Sequence, residues 1–304
     1  MQHTSQILMI EPVRFDFNEE TAVNNLFQVK STNPTILQEK ALAEFTGLVN
    51  LLEKAGVDVL VVKDSPLPHT PDSLFPNNWL SMHEDGTLLL YPMFAPNRRK
   101  ERKQTVLDAL REKYRVEQIV DLSDYENQNL FLEGTGSMVL DRQNHIAYAC
   151  LSQRTHRQLL DIFAEKKQYR IVAFTSVDSN RQPVYHTNVM MSVADEYAVI
   201  CLDSIPDETE RRKVSLTIQD TGKEIIPISM DQMNHFAGNM LQVHSKQGEP
   251  LLVMSSQAFY SLRPDQLTGL EKFNRILHTD LSTIETNGGG SARCMMAEIF
   301  LPVK

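Results

Sequence analysis

The sequence is poor in cysteine: 304 residues carry three, Cys150, Cys201 and Cys294, widely spaced and with no CxxC pair. That pattern excludes a disulfide framework and a dithiol or thiolate zinc centre, and it leaves at least one thiol free. The nine histidines show no recognisable metal-ligand spacing, so neither a metal nor an organic cofactor is expected. Basic residues are outnumbered, 30 against 39 acidic, for a net charge of −9, which argues against a nucleic-acid partner because such binding needs basic clusters. No stretch approaches the ~20 apolar residues of a membrane span. The N-terminal MQHTSQILMIEPVR has only the short apolar run Ile7–Ile10 and no basic lead, so a secretory leader is not expected and the cytoplasm is the expected location. What remains is ordinary for a soluble globular chain, with 41% hydrophobic and 23% charged residues. The length allows two domains or one barrel or propeller.

Hydrophobic periodicity recurs in a fixed order of strand, turn, strand, amphipathic helix and strand. NNWLSMHEDGTLLLYPM, a helix over 98–114 and VEQIVDL form one unit; GSMVLDRQNHIAYACL, a helix over 155–167 and YRIVAFT form the next. NVMMSVADEYAVICL, a helix over 208–220 and EIIPIS make a third; GNMLQVHSKQGEPLLVMS, a helix over 265–277 and a strand in LSTIE make a fourth. A fifth unit is split between the termini, with CMMAEIFL from the C-terminus joined to Ile7–Val13, a helix over 37–54 and VDVLVV from the N-terminus. The positions preceding each first strand, Asn78, Glu133, His186, Gly238 and Cys294, are 55, 53, 52 and 56 residues apart. Such a period signals a repeat architecture. The expected fold is α/β, a five-fold pseudo-symmetric propeller of ββαβ units in which the whole chain, 1–304, is one catalytic domain.

In that arrangement the loops before the first strands meet at one end of the channel. They read PDSLFPNNW, FLEGTGS, VYHTNV, NHFAGN and TNGGGSARCM, and three of them carry Glu133, His186 and Cys294. A thiol, an imidazole and a carboxylate distant in sequence are the parts of a cysteine nucleophile system, in which the thiolate attacks, histidine moves protons and the carboxylate orients the ring. Cys150 and Cys201 lie in the apolar strands IAYACL and YAVICL and read as packing. Cys294 follows NGGGSAR, whose amides and Arg293 are positioned to lower a thiol pKa and hold an oxyanion. His69, His83, His145 and His156, in turns or helix starts, read as surface residues.

These motifs resemble the guanidino-group modifying superfamily of arginine deiminases, dimethylarginine hydrolases and amidinotransferases. GGGSARCM is similar to the GGG-x-x-x-C tail of arginine deiminases, LEGTGS to their acid-Gly-Gly segment, and PDSLFPNNW and APNRRKE to dimethylarginine hydrolases. FPNNW and HTN resemble the bacterial citrulline-utilisation hydrolases. The resemblance implies a five-fold α/β propeller and puts the nucleophile on Cys294, the acid/base on His186 and its partner on Glu133. It further implies substrate contacts at Asn77 and Asn78, carboxylate-binding arginines at Arg98 and Arg154, and a guanidinium-contacting acid at Asp72. Where arginine deiminases have aspartates, this chain has Asn78 and Asn188. Two amides suit a neutral ureido group better than a cation, because each offers one acceptor and two donors. The expectation is therefore hydrolysis of citrulline to ornithine, ammonia and carbon dioxide through an S-carbamoyl enzyme. The rivals are hydrolysis or amidino transfer on a guanidino substrate and, outside enzymes, a binding propeller. The expected partner is a small amino-acid substrate, with self-association left open.

Overall fold

The computed structural model describes residues 1–25, 27–29 and 34–304. Among them, fifteen strands form five three-stranded sheets. The strands are β1 (Gln6–Glu11), β2 (Asp58–Lys63), β3 (Leu80–Met82), β4 (Thr87–Leu90), β5 (Gln118–Asp121), β6 (Val139–Asp141), β7 (Ile146–Cys150) and β8 (Arg170–Phe174). They continue as β9 (Met191–Val193), β10 (Tyr197–Ile200), β11 (Glu224–Pro227), β12 (Leu241–His244), β13 (Pro250–Ser255), β14 (Arg275–Thr279) and β15 (Ala297–Glu298). Each sheet repeats one pairing, a first strand antiparallel to the middle strand and a third strand parallel to it, and in four of the five a short turn joins the first strand to the middle one. The fifth sheet is β15-β1-β2, so strands from both termini close the ring.

A parallel neighbour requires a crossover, and each crossover contains a helix. In the helix Pro34–Lys54, Leu37, Ala41, Phe45, Leu48 and Leu52 are buried, a spacing of three to four residues that makes one apolar stripe. Leu159, Leu160 and Phe163 do the same for Arg157–Lys167, and Val214 and Ile218 for Glu208–Asp220. The middle strands β4 (TLLL), β7 (IAYAC) and β10 (YAVI) are buried throughout, whereas the third strands begin exposed. A middle strand has neighbours on both edges, and here both faces are covered as well, which is why it reads as an unbroken apolar run.

The fourth unit departs from expectation. Its helix ends at Glu271, its third strand is Arg275–Thr279, and LSTIE opens the helix Ser282–Gly288 instead of forming a strand. Asn274 stops the first helix by donating its Nδ2–H to Leu270 O at 3.0 Å, and Asp280 starts the second by accepting from Ser282 N at 3.0 Å. Glu44 then takes the Thr283 and Ile284 amides at 2.8 and 2.9 Å. The helix expected over 98–114 is likewise divided, into a 3₁₀ turn at Arg98–Glu101 and an α-helix at Gln104–Lys113.

Candidate active site

All five first strands are preceded by short turns at the same end of the ring. Pro76–Asn78, Gly134–Ser137, Thr187–Met190 and Ala292–Met295 are single helical turns, each buried throughout. The turn bearing Glu133 packs so closely on its neighbour that side chains are excluded. Gly134 has φ +47°, and a Cβ there would collide with Asn77 O; one at Gly136 would collide with Asn78 Nδ2 and lie 2.9 Å from His186 Nδ1.

One side of the pocket is ionic. His186 Nε2 lies 2.7 Å from Glu133 Oε2, and the second Glu133 oxygen accepts from Phe94 N at 3.0 Å. Burial pushes Glu133 up, but Arg154, His186 and Arg98 outweigh it and hold the carboxyl near 2. Burial lowers His186 to about 4 against the opposing pull of Glu133. The pair is therefore a carboxylate with a neutral imidazole that donates from Nε2, which leaves the Nδ1 lone pair free to accept a proton. Arg154 Nη1 is 3.5 Å from Glu133 Oε2, while its Nε donates to Asn24 Oδ1 at 3.0 Å and Nη2 to Thr21 O at 3.0 Å. Arg98 is forked onto Glu101 at 2.8 and 2.9 Å and donates to Asn78 Oδ1 at 2.8 Å and Phe75 O at 3.2 Å. Asp72 Oδ2 accepts from Asn18 Nδ2 at 2.7 Å and lies 3.8 Å from Arg98 Nε; its Oδ1 has no partner. Burial raises the Asp72 carboxyl above the usual range.

The other side is neutral. Cys294 Sγ is met by Asn188 Nδ2 at 3.4 Å and Asn239 Nδ2 at 3.2 Å. Asn239 cannot turn its oxygen to the sulfur without losing two bonds, since Oδ1 accepts from Arg293 N at 3.1 Å and Nδ2 also donates to Asn188 O at 2.9 Å. The groups touching the sulfur are thus amides rather than Arg293, whose guanidinium is bonded to Met296 O and Glu298 Oε2. Among the buried polar atoms, Asn78 Nδ2, Asn188 Oδ1 and both side-chain heteroatoms of Asn77 have no partner.

The pocket shared by Asp72, Asn78, Arg98, Arg154, His186 and Cys294 encloses only about 10 Å³, room for one water. Its roof is the N-terminal segment, where Asn25 Nδ2 bonds Gly289 O at 3.2 Å and Gln28 Nε2 bonds Gly288 O at 2.8 Å. Every residue expected from sequence to form the site is therefore buried at this end of the ring. The expectation missed Asn239, although it ends NHFAGN at the recurring loop position, and it missed the roof residues Asn18, Thr21, Asn24 and Asn25, for which the sequence carries no signal. Glu101 was legible only as three residues past Arg98. His83, expected at the surface, is buried and bonded to Ser81 Oγ at 2.9 Å.

Residues 11–301 match the family described as N,N dimethylarginine dimethylhydrolase, eukaryotic. The chain belongs to the dimethylarginine dimethylhydrolase family. That family lies within the guanidino-modifying enzymes, hydrolases acting on C–N bonds of guanidino compounds. Among solved structures, the substrate-bound N-terminal domain of ArgZ, an arginine dihydrolase from the ornithine-ammonia cycle in cyanobacteria, is 18% identical with TM-score 0.76, covering 98% of each chain. Against the apo form of ArgZ the match still covers 98% of this chain but spans only 41% of that longer protein. The dimethylarginine dimethylhydrolase of Pseudomonas aeruginosa, complexed with citrulline, is 14% identical with TM-score 0.67, covering 98% of this chain and 100% of the other. These neighbours share the five-fold fold with the dimethylarginine dimethylhydrolase family member described above. A search of curated proteins returned no match.

Proposed function

We propose that the chain is one catalytic domain that hydrolyses the ureido group of citrulline, using Cys294 as nucleophile, His186 as acid and base, and Glu133 to orient the ring. The observation that carries this reading is the set of unpartnered groups lining the pocket. Asn78 offers a free Nδ2 donor, while Asn188 Oδ1 and Asp72 Oδ1 are free acceptors. Buried polar groups are nearly always paired, so these three atoms set what a bound group must offer them: a carbonyl oxygen flanked by N–H groups. Arg98 fixes the Asn78 amide by occupying its oxygen, so that Nδ2 is the end left for substrate.

His186 Nδ1 removes the Cys294 proton, and the thiolate, supported by the Asn188 and Asn239 amides, attacks the ureido carbon. The adduct collapses as His186 returns the proton to departing ammonia, leaving an alkylcarbamoyl thioester. Water, deprotonated by His186, cleaves the C–S bond to give N-carboxyornithine, which loses carbon dioxide to leave ornithine. Binding requires the roof to lift, which frees the Arg154 fork from Asn24 and Thr21 to receive the substrate carboxylate in two parallel hydrogen bonds. Arg98, already forked onto Glu101, supports Asn78 instead.

A second reading is favoured by one group: the free Asp72 oxygen also suits a guanidinium, and arginine is what the ArgZ neighbour is named for acting on. The two readings separate on incubating the protein with citrulline and, separately, arginine while assaying ornithine, citrulline and ammonia, with Cys294→Ala as control. Ornithine from citrulline and no product from arginine supports the first; citrulline or ornithine from arginine supports the second.

A further inference from the structure

The opposite mouth of the channel gathers three side chains that ligate metals. His3 precedes β1, Asp195 sits in the turn between β9 and β10, and His244 ends β12. His3 Nε2 is 2.7 Å from His244 Nε2 and 3.2 Å from Asp195 Oδ2, and one donor atom from each residue lies within 4.8 Å of the others. A ring nitrogen forms a single hydrogen bond along its axis, yet here two partners converge on the same atom. Two imidazole nitrogens and one carboxylate oxygen meeting at a point are the donor set of zinc and its borderline neighbours, with a fourth position open to water. Bonds of about 2.0–2.2 Å place such donors about 3.3 Å apart, so the imidazole nitrogens must separate by roughly half an ångström.

The surrounding backbone is already held. The His244 amide donates to Thr4 O at 3.1 Å, Thr4 Oγ1 donates to Ile299 O at 2.9 Å, and Gln2 Nε2 donates to Leu140 O at 2.9 Å. Asp195 N donates to Gln242 Oε1 at 2.8 Å, and Lys223 Nζ donates to Asp195 O at 2.6 Å, so the carboxylate is aimed from a fixed turn. The three side chains border a cavity of about 470 Å³ open to solvent, which provides an entry path and adds Glu196 and Gln143 at its edge. We propose that His3, His244 and Asp195 bind one zinc-class divalent cation, which ties the strand that closes the ring to the third and fourth sheets. The sequence could not show this site, because its ligands come from three sheets and His3 and His244 are 241 residues apart.

The test is a calorimetric titration of untagged, chelator-treated full-length protein with zinc chloride, paired with thermal unfolding. One equivalent should bind, and at zinc a hundredfold above the dissociation constant the unfolding midpoint should rise by about 4 °C. His244→Ala and Asp195→Asn should each weaken binding by roughly tenfold or more, and His244→Gln replaces the alanine variant if that one does not fold. Cys294→Ala must retain full binding, which excludes the pocket thiol as the zinc ligand. Cobalt(II) should bind without a thiolate charge-transfer band. Absence of binding by the parent protein, binding undiminished in the His244 and Asp195 variants, or binding lost in Cys294→Ala would overturn the proposal.

Discussion

On one side of the pocket, five charged groups, Asp72, Arg98, Glu101, Glu133 and Arg154, hold one another; on the other, the hydrogen bonds to Cys294 Sγ among the described residues come from the neutral amides of Asn188 and Asn239. The ions are buried, which is costly for each alone, and tolerable because each has a partner of opposite sign. Once paired they are good anchors and poor selectors. The amides put neutral groups beside the sulfur, while the open carboxylate oxygen of the pocket, Asp72 Oδ1, stays on the ionic side. The difference teaches that position and selectivity are assigned to different materials within one small pocket.

The largest effect expected is from removing the proposed nucleophile: Cys294→Ala should lower kcat by about 10⁴-fold or more while leaving the thermal midpoint within a few degrees, read by ornithine release and calorimetry. Residual activity within tenfold of the parent would move the chemistry off the neutral side. Glu133→Gln should lower kcat by about 10³–10⁴-fold, since an amide cannot hold His186 as a carboxylate does. It should also destabilise the fold by about 3–5 kcal/mol, because Arg154 loses its buried counter-charge. Asn239→Ala should reduce kcat by about 10²–10³-fold, the usual effect of deleting one hydrogen-bond donor at a developing charge. Asn239→Asp should in addition shift the pH profile of thiol alkylation upward, since an anion beside the sulfur opposes ionisation.

Restoring carboxylates with Asn78→Asp and Asn188→Asp should raise the arginine-to-citrulline ratio of kcat/KM by at least tenfold, and an unchanged ratio would break the comparison. The smallest effect concerns acid. His186 is held near 4 in the fold, below its ordinary 6.5, so the unfolded chain binds more protons between these values. Its contribution to stability is full above pH 6.5 and is lost as pH falls towards 4, and His186→Gln should flatten that part of the stability curve measured by urea unfolding.

The ring and its period were legible because every middle strand is an apolar run and every crossover helix has an apolar stripe. Glu133, His186 and Cys294 were legible because they recur at one position of the repeat. LSTIE was misread because β-branched residues fit strands by pattern, while Asp280 and Glu44 supply the helix with caps that only the fold brings together. Arg98, expected to bind a substrate carboxylate, was incompletely legible for a related reason: Glu101 lies one turn away and occupies its fork.

By itself the sequence determined the repeat, the order of the strands and the chemical types available at the channel mouth, since these depend on periodicity and on residues near each other in the chain. Tertiary structure alone decided which nitrogen of His186 faces Glu133, which amides meet the sulfur, and how far the roof closes the pocket. Those depend on distances of a few tenths of an ångström between loops more than fifty residues apart, where hydrogen bonds are made or lost and no local pattern records the outcome.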